Sequence, residues 1–257
     1  MNFFMKTSRC VWMLAVIGVA LAGPVQAVQN PPVQIRFQMD WQLDARAIPY
    51  FVAQKKGYFA HEGLEVTIRR GSGASATITR LAAGNADIGL GDMPSVIDFA
   101  ANDAAMPVRA VFLMYETSQA ALTAYIDKGV LIHGNAILVN TAFSTRHPEA
   151  VSGFLRAMSR ALKDVFADRA EGIRILKAYE PLADAPVEMA RLDSFLDKQI
   201  DTVNSRDQGV GVIDMPRLQK NVDLLAARLK FETIPDATTL VNMNFIPARS
   251  ARQITKN

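Results

Sequence analysis

Between Val33 and Met114 the apolar positions switch repeatedly between a two-residue and a helical rhythm, the pattern of strands alternating with helices in parallel βαβ units. Val33, Ile35 and Phe37 alternate as a strand, and Ile48, Phe51 and Val52 then share one helical face, closed by Lys55, Lys56 and Gly57. Leu64, Val66 and Ile68 alternate again. After Gly71-Ser72-Gly73 a second helix points Ile78, Leu81 and Ala82 inward and stops at Gly84. Ala86 to Leu90 is short and apolar enough for a buried strand, Gly91-Asp92 offers a turn and an N-cap, and Pro94 suits a first helical turn. Val108 to Leu113 supplies a fourth strand, so the block reads βαβαβαβ.

From Pro148 onward the rhythm is helical. Val151, Phe154, Leu155, Met158 and Leu162 form one stripe; Met189, Leu192, Phe195 and Leu196 form another, and Leu218, Val222, Leu225 and Leu229 a third. These are expected to be core faces. The polar residues from about Arg249 are expected to fray.

The first 27 residues break this picture. Lys6 and Arg9 precede an apolar run from Cys10 to Ala22, and Gly23-Pro24-Val25-Gln26-Ala27 ends in the small residues that a signal peptidase reads. The run is short for a bilayer span, and Cys10 lies before it, which argues against a lipoprotein. Residues 1–27 are therefore expected to be a cleaved secretory signal, cut after Ala27, with export to the periplasm. Cleavage would remove the only cysteine and leave no thiol for a disulfide, a nucleophile or a metal. It would also remove two of the 28 basic residues and none of the 25 acidic ones, bringing the formal charge of +3 down to +1. No basic cluster with interleaved aromatics marks a nucleic-acid surface, and no second long apolar segment marks a membrane span.

In open parallel sheets small molecules bind beyond the carboxyl ends of the strands. Three loops fall there: Asp40-Trp41-Gln42, Gly71-Ser72-Gly73-Ala74-Ser75, and Gly91-Asp92-Met93; Tyr115 follows the fourth strand. Trp41 offers a flat apolar face with one N–H donor, the Gly71–Ser75 loop offers backbone N–H groups and two hydroxyls at a helix start, and Asp92 offers an acceptor. Each has a plainer reading: a glycine-serine turn, an N-cap at Asp92, and a Trp41 that covers the edge of the core. His61, His133 and His147 have no metal spacing, His133 reading as a surface or hinge residue, and no serine or histidine sits in a nucleophile-elbow context. No catalytic residue, metal or cofactor is expected.

The segment FQMDWQLDARAIPYFVAQKKGYFAHEGLEVTI, the glycine-serine loop, LAAGNADIGLGD and the later GNAILVNTAFSTRHPEAVSGFLRAM together resemble the ABC-importer solute-binding proteins for nitrate, sulfonate, taurine and thiamine precursors. The resemblance leans toward the branch that binds pyrimidine precursors. It implies an α/β, type II periplasmic-binding-protein fold with two lobes and a ligand between them, and it carries Asp40, Trp41, Ser72, Gly73, Ala74 and Asp92 over as pocket residues. It also implies an ABC permease as partner. A pyrimidine-synthesising relative of the same fold consumes its own cofactor and needs a cysteine-rich iron motif, which this chain lacks.

One departure is large. Ala120 to Tyr125 runs almost directly into Gly129-Val130-Leu131-Ile132-His133-Gly134-Asn135-Ala136-Ile137, where the family inserts a whole second lobe, and His133 stands in place of the usual tyrosine. The expected organisation is a first lobe over 28–124, a residual junction over 125–137, and a return strand with C-terminal helices over 138–257. With the second lobe truncated, the junction from Tyr125 to Ile132 should be apolar and exposed, and the protein should be a monomer, or a dimer through the truncated face.

Overall fold

The computed structural model describes Met1 and residues 31–118 and 131–254. The signal segment of residues 1–27 and the part of the junction from Tyr125 to Val130 lie outside the described residues.

The strands are β1 (Val33–Gln38), β2 (Leu64–Arg69), β3 (Ile88–Asp92), β4 (Val108–Leu113) and β5 (Asn135–Asn140). They form a five-stranded sheet of order β2-β1-β3-β5-β4. β1 runs parallel to both β2 and β3, with Val33 opposite Leu64 and Phe37 opposite Ile88. β1 to β4 share one direction, as the βαβ rhythm predicts, but β4 does not pair with β3. The return strand β5 lies between them, antiparallel to both. The physical reason is the connection. Each of β2 to β4 is reached from the strand before through a helical crossover, which keeps the direction of β1 to β4 common.

Alternation along β5 splits the core between the two faces of the sheet. Ile137 and Val139 join one cluster with Phe37, Tyr50, Phe51 and Phe154, whereas Ala136 and Leu138 join a second with Ile78, Met93, Val96 and Leu218. The first face is covered by α1 (Ile48–Lys55), α2 (Tyr58–His61), α6 (Pro148–Ala167), α7 (Arg169–Tyr179) and α8 (Ala185–Phe195); α5 (Thr141–Arg146) leads into α6. The second is covered by α3 (Ala74–Ala82), α4 (Met93–Asn102) and α10 (Met215–Leu229). α8 continues into a π-helical turn, Leu196–Ile200, and α9 (Val203–Gln208) follows. Pro31–Asn257 forms one compact unit.

Three further expectations change. Leu229, the last residue of its stripe, is half-exposed at the helix end. His133 is fully buried, neither surface nor hinge-exposed: its backbone N–H and its Nδ1 both meet Asn221 Oδ1 of α10, at 2.9 and 2.8 Å. Through Ile254 the described tail does not fray, because α11 (Arg249–Arg252) carries Arg252 into the fold, where it donates to the carbonyls of Pro247, Gln208 and Val210. In the described part of the junction, Leu131 is half-exposed and Ile132 is buried.

Candidate functional site

β1, β3 and β4 end, and β5 begins, at one edge of the sheet, and this edge gathers the polar residues. Asp92 at the end of β3 faces Asn135 at the start of β5. The loop after β1 is zipped to the loop after β2: Met39 N–H donates to Arg69, Gly71 N–H to Trp41 and Gly73 N–H to Asp40. Gly71 is required by this approach, since a Cβ there would stand 2.0 Å from the Met39 carbonyl oxygen. The two glycine N–H groups are thus engaged in joining loops and are not free donors, which corrects the simple picture of an open anion nest.

The opposite wall joins the turn after β1 to the C-terminal half of the chain. Asp44 caps the 3-10 turn Ala45–Ala47, accepting from Arg46 N–H at 2.9 Å, and the same carboxylate grips the Arg46 guanidinium at 2.7–3.2 Å. Glu188 of α8 accepts from Ala45 N–H at 2.7 Å through one oxygen and from Arg191 at 2.5 Å through the other. The ring of Phe195 meets Tyr115 edge-on at 5.1 Å. In the π turn, Gln199 Oε1 accepts from the Thr117 hydroxyl at 3.1 Å and from its N–H at 3.3 Å, so its amide NH2 is the end left to face outward. π turns recur at functional sites because the extra residue re-aims a side chain.

These walls enclose a cavity of about 480 Å³, lined on the sheet side by Trp41, Asp92, Tyr115 and Asn135, and on the other by Arg46, Arg191, Phe195 and Gln199. A shallower hollow of about 260 Å³ adjoins it, sharing Trp41, Arg46, Asp92 and Asn135 and adding Asp40, Gly73 and Ala74. Of the sequence-predicted set, Trp41, Asp92 and Tyr115 line the main cavity and Asp40, Gly73 and Ala74 the hollow. Gly71 packs beneath the loop, and Ser72 and Ser75 are exposed at its outer side. Met93 points into the second core and is fully buried. Asp92 also caps α4, accepting from Ser95 N–H at 2.9 Å, so its plainer reading and its cavity position coexist. Trp41 is half-exposed at the rim and does not cover the core.

Burial raises the Asp40 carboxyl above its ordinary range, opposed by the charge of Arg46 and by Asn135 Nδ2, which donates to it at 2.6 Å. Arg46 is itself partly buried, which lowers its pKa, but the Asp44 contact outweighs this and the net shift is upward. The Tyr115 hydroxyl is buried without a hydrogen-bond partner, and desolvation, then the charge of Asp40, push it well above its ordinary value. The mixture of aromatic, charged and amide side chains around the cavity fits a small-molecule site.

Residues 44–133 match the family model described as NMT1/THI5 like. Over 78 residues the chain is 35% identical to 4-amino-5-hydroxymethyl-2-methylpyrimidine phosphate synthase THI11 of Saccharomyces cerevisiae, covering 30% of this chain. The match spans 22% of the length of that curated relative, and the same holds for its paralogue THI5. Among solved structures, the alkanesulfonate-binding protein SsuA from Xanthomonas axonopodis pv. citri bound to MOPS superposes with a TM-score of 0.59 at 11% identity, covering 83% of this chain and 99% of that one. The Candida albicans CA3427 gene product, described as having the generic periplasmic binding protein fold, gives 0.61 at 10% identity over 85% and 98%. The aliphatic sulphonate binding protein SsuA from Escherichia coli gives 0.57 at 13% identity over 84% and 94%. The chain has the α/β periplasmic-binding-protein fold, and its segment 44–133 is an NMT1/THI5-like domain match.

Proposed function

We propose that this protein captures a small solute in the cavity at the sheet edge and delivers it to an ABC permease, as an exported solute-binding component without catalytic activity. The observation that carries this reading is the cavity of about 480 Å³, built from loops of the sheet on one side and the α8–π-turn segment on the other. It is of the size that small-molecule sites take. The fold is that of periplasmic binding proteins, which supports export of the chain after cleavage behind Ala27. The solute belongs to the thiamine-pyrimidine precursors, related heterocycles or sulfonate- and nitrate-like anions.

The organisation proposed keeps the boundaries read from the sequence, with a first lobe over 28–124, a junction over 125–137 and a return segment over 138–257. The crossing segments are close: Ser118 N–H donates to Ile132 at 2.9 Å and Gly134 N–H to Tyr115 at 3.2 Å. Residues 119–130 between them are too few for an α/β lobe, and this supports a truncated second lobe, with a second copy as the alternative cover for that face.

A second reading, a cofactor-consuming pyrimidine-precursor synthase, draws on the 35% identity to the yeast synthases. Against it stands the absence of any cysteine beyond Cys10, since the resemblance to such synthases implies a cysteine-rich motif. A third, a remnant that binds nothing, predicts no cooperative melt.

The test is a thermal-shift screen of residues 28–257 against thiamine precursors, flavins, sulfonates and nitrate. A ligand at a hundred times its Kd should add about 2.7 kcal/mol of stability. A hit supports capture; a cooperative melt unmoved by every compound overturns it.

A further inference from the structure

Four of the residues that line the cavity, Tyr115, Thr117, Ser118 and Asn135, lie on two crossings, residues 114–118 leaving β4 and 131–135 leading into β5. Segments that move are marked by exposed backbone bonds and few buried partners. The crossings have the opposite character. They bond to each other, Ser118 N–H to Ile132 at 2.9 Å, Gly134 N–H to Tyr115 at 3.2 Å, and the N–H groups of Met114 and Tyr115 to Asn135 at 2.8 and 2.9 Å. They also touch without room for a side chain, since a Cβ at Gly134 would stand 2.6 Å from the Thr117 carbonyl oxygen and 2.7 Å from that of Tyr115.

Both crossings are gripped by neighbouring elements as well. α10 reaches the first through Arg217, whose guanidinium donates to the Glu116 carboxylate at 2.5 Å and to the Glu116 carbonyl. One turn further along the same helix, Asn221 holds the second, accepting from His133 N–H at 2.9 Å and donating to the Leu131 carbonyl at 3.1 Å. The π turn adds Gln199, whose backbone carbonyl accepts from Glu116 N–H at 3.0 Å and whose Oε1 accepts from Thr117. Asn204 of α9 donates to the other Glu116 carboxylate oxygen at 3.3 Å. Neither Arg217 nor Asn221 lines the cavity at the sheet edge.

We infer that α10 latches both crossings, so that they form a rigid floor and not a hinge, and that Arg217 and Asn221 are positioning residues that hold the cavity preformed before any solute arrives. The inference rests on the solute-capture reading only for the purpose of the cavity. A solute then meets a floor that is already ordered, and binding does not have to supply that order.

Amide hydrogen exchange and nitrogen relaxation dispersion on residues 28–257 test this with no solute added, so a failed solute screen leaves the outcome untouched. In the wild type the amides of Glu116, Ser118, His133 and Gly134 should exchange within about tenfold of those of β1, and Tyr115, Thr117 and Asn135 should show no millisecond exchange. Arg217→Ala and Asn221→Ala should each speed exchange at the crossing it holds by about tenfold or more, while β1 changes less. Together they should bring millisecond exchange to Tyr115, Thr117 and Asn135. Leu162→Ala, on α6 in the other core cluster, is the control: it should lower the melt and leave the ratio of crossing to β1 exchange as in the wild type. Wild-type crossing amides more than about tenfold faster than β1, or millisecond exchange there, overturn the latch, and that measurement needs no variant to fold. Crossing exchange in the two alanine variants that is unchanged, or that rises only as much as β1, overturns it as well.

Discussion

A single methyl group at Gly71 tests whether the two sheet-edge loops act as one piece. The added Cβ would meet the backbone of Met39 and Asp40, at 2.0 Å from the Met39 oxygen and 2.4 Å from the Asp40 carbonyl carbon, and backbone does not yield as a side-chain end does. Gly71→Ala is therefore expected to cost about 1–3 kcal/mol by overpacking and to displace Asp40 and Trp41. Urea denaturation measures the first effect, and the fluorescence of Trp41 near the loop reports the second; an unchanged midpoint would mean the loop adapts freely. At this scale the sequence was informative about one wall only. Asp40, Trp41 and Asp92 were legible because strand ends and turn residues announce themselves locally. Asp44, Arg46, Glu188, Arg191 and Gln199 were not, because Ala45 and Glu188 meet across 143 positions of chain and no local rhythm encodes that meeting. The missed signal that was present is the carboxylate-arginine spacing of Asp44 and Arg46, which reads as a capped turn. Met93 shows the converse: next to a candidate, it faces the core because it opens α4.

At the scale of elements, α10 holds the return segment through one side chain. Asn221 donates to the Leu131 carbonyl at 3.1 Å and accepts from His133, so helix and crossing are joined by a buried amide. Since Asn221 Oδ1 can only accept, His133 Nδ1 carries the proton and Nε2 is left bare, buried and without a partner. Desolvation, and then the charge of Arg217, lower the His133 pKa to about 4, against the bond to Asn221 and the charge of Asp214, which raise it. The sign follows from linkage. A histidine whose folded pKa lies below its unfolded value near 6.5 contributes stability above that value and loses it as pH falls toward 4, an effect of about 3 kcal/mol in full. Denaturant midpoints for the wild type should therefore drop between pH 6.5 and pH 4. His133→Asn, which has no charge to acquire, should flatten that slope, and equal slopes in both proteins would refute the assignment. The strand-helix order up to β4 was legible from periodicity, as was the helical second half. The placement of β5 between β3 and β4 was not, since pairing direction depends on connections and not on composition. Nor was the π turn at Leu196–Ile200, where the apolar stripe simply runs on through Phe195 and Leu196.

For the whole molecule, the tail is where polarity misleads. Residues from Arg249 onward look expendable, yet Arg252 donates to Pro247 at 2.7 Å, to Gln208 at 2.9 Å and to Val210 at 3.0 Å, and its own carbonyl accepts from Val210 N–H at 3.1 Å. Those contacts hold residues 208–211 in place, and Gly211 in turn accepts from Leu113 N–H at 2.9 Å, on the outer side of β4. The tail thus braces the segment that covers part of the edge strand whose exit carries Tyr115 into the cavity. Ending the chain after Ala248 removes the three carbonyl partners at once, and buried carbonyls left without donors cost about 1–3 kcal/mol each. The truncated protein, and Arg252→Ala less severely, should melt earlier and should exchange the amides of β4 with deuterium faster than the amides of β1. Solute affinity should weaken in parallel, although no tail residue lines the cavity, because the Glu116 N–H bond to Gln199 and the Tyr115–Phe195 contact both depend on where β4 ends. If exchange at β4 stays at the wild-type rate while the melt falls, the tail stabilises the core generally and the route from tail to cavity is wrong.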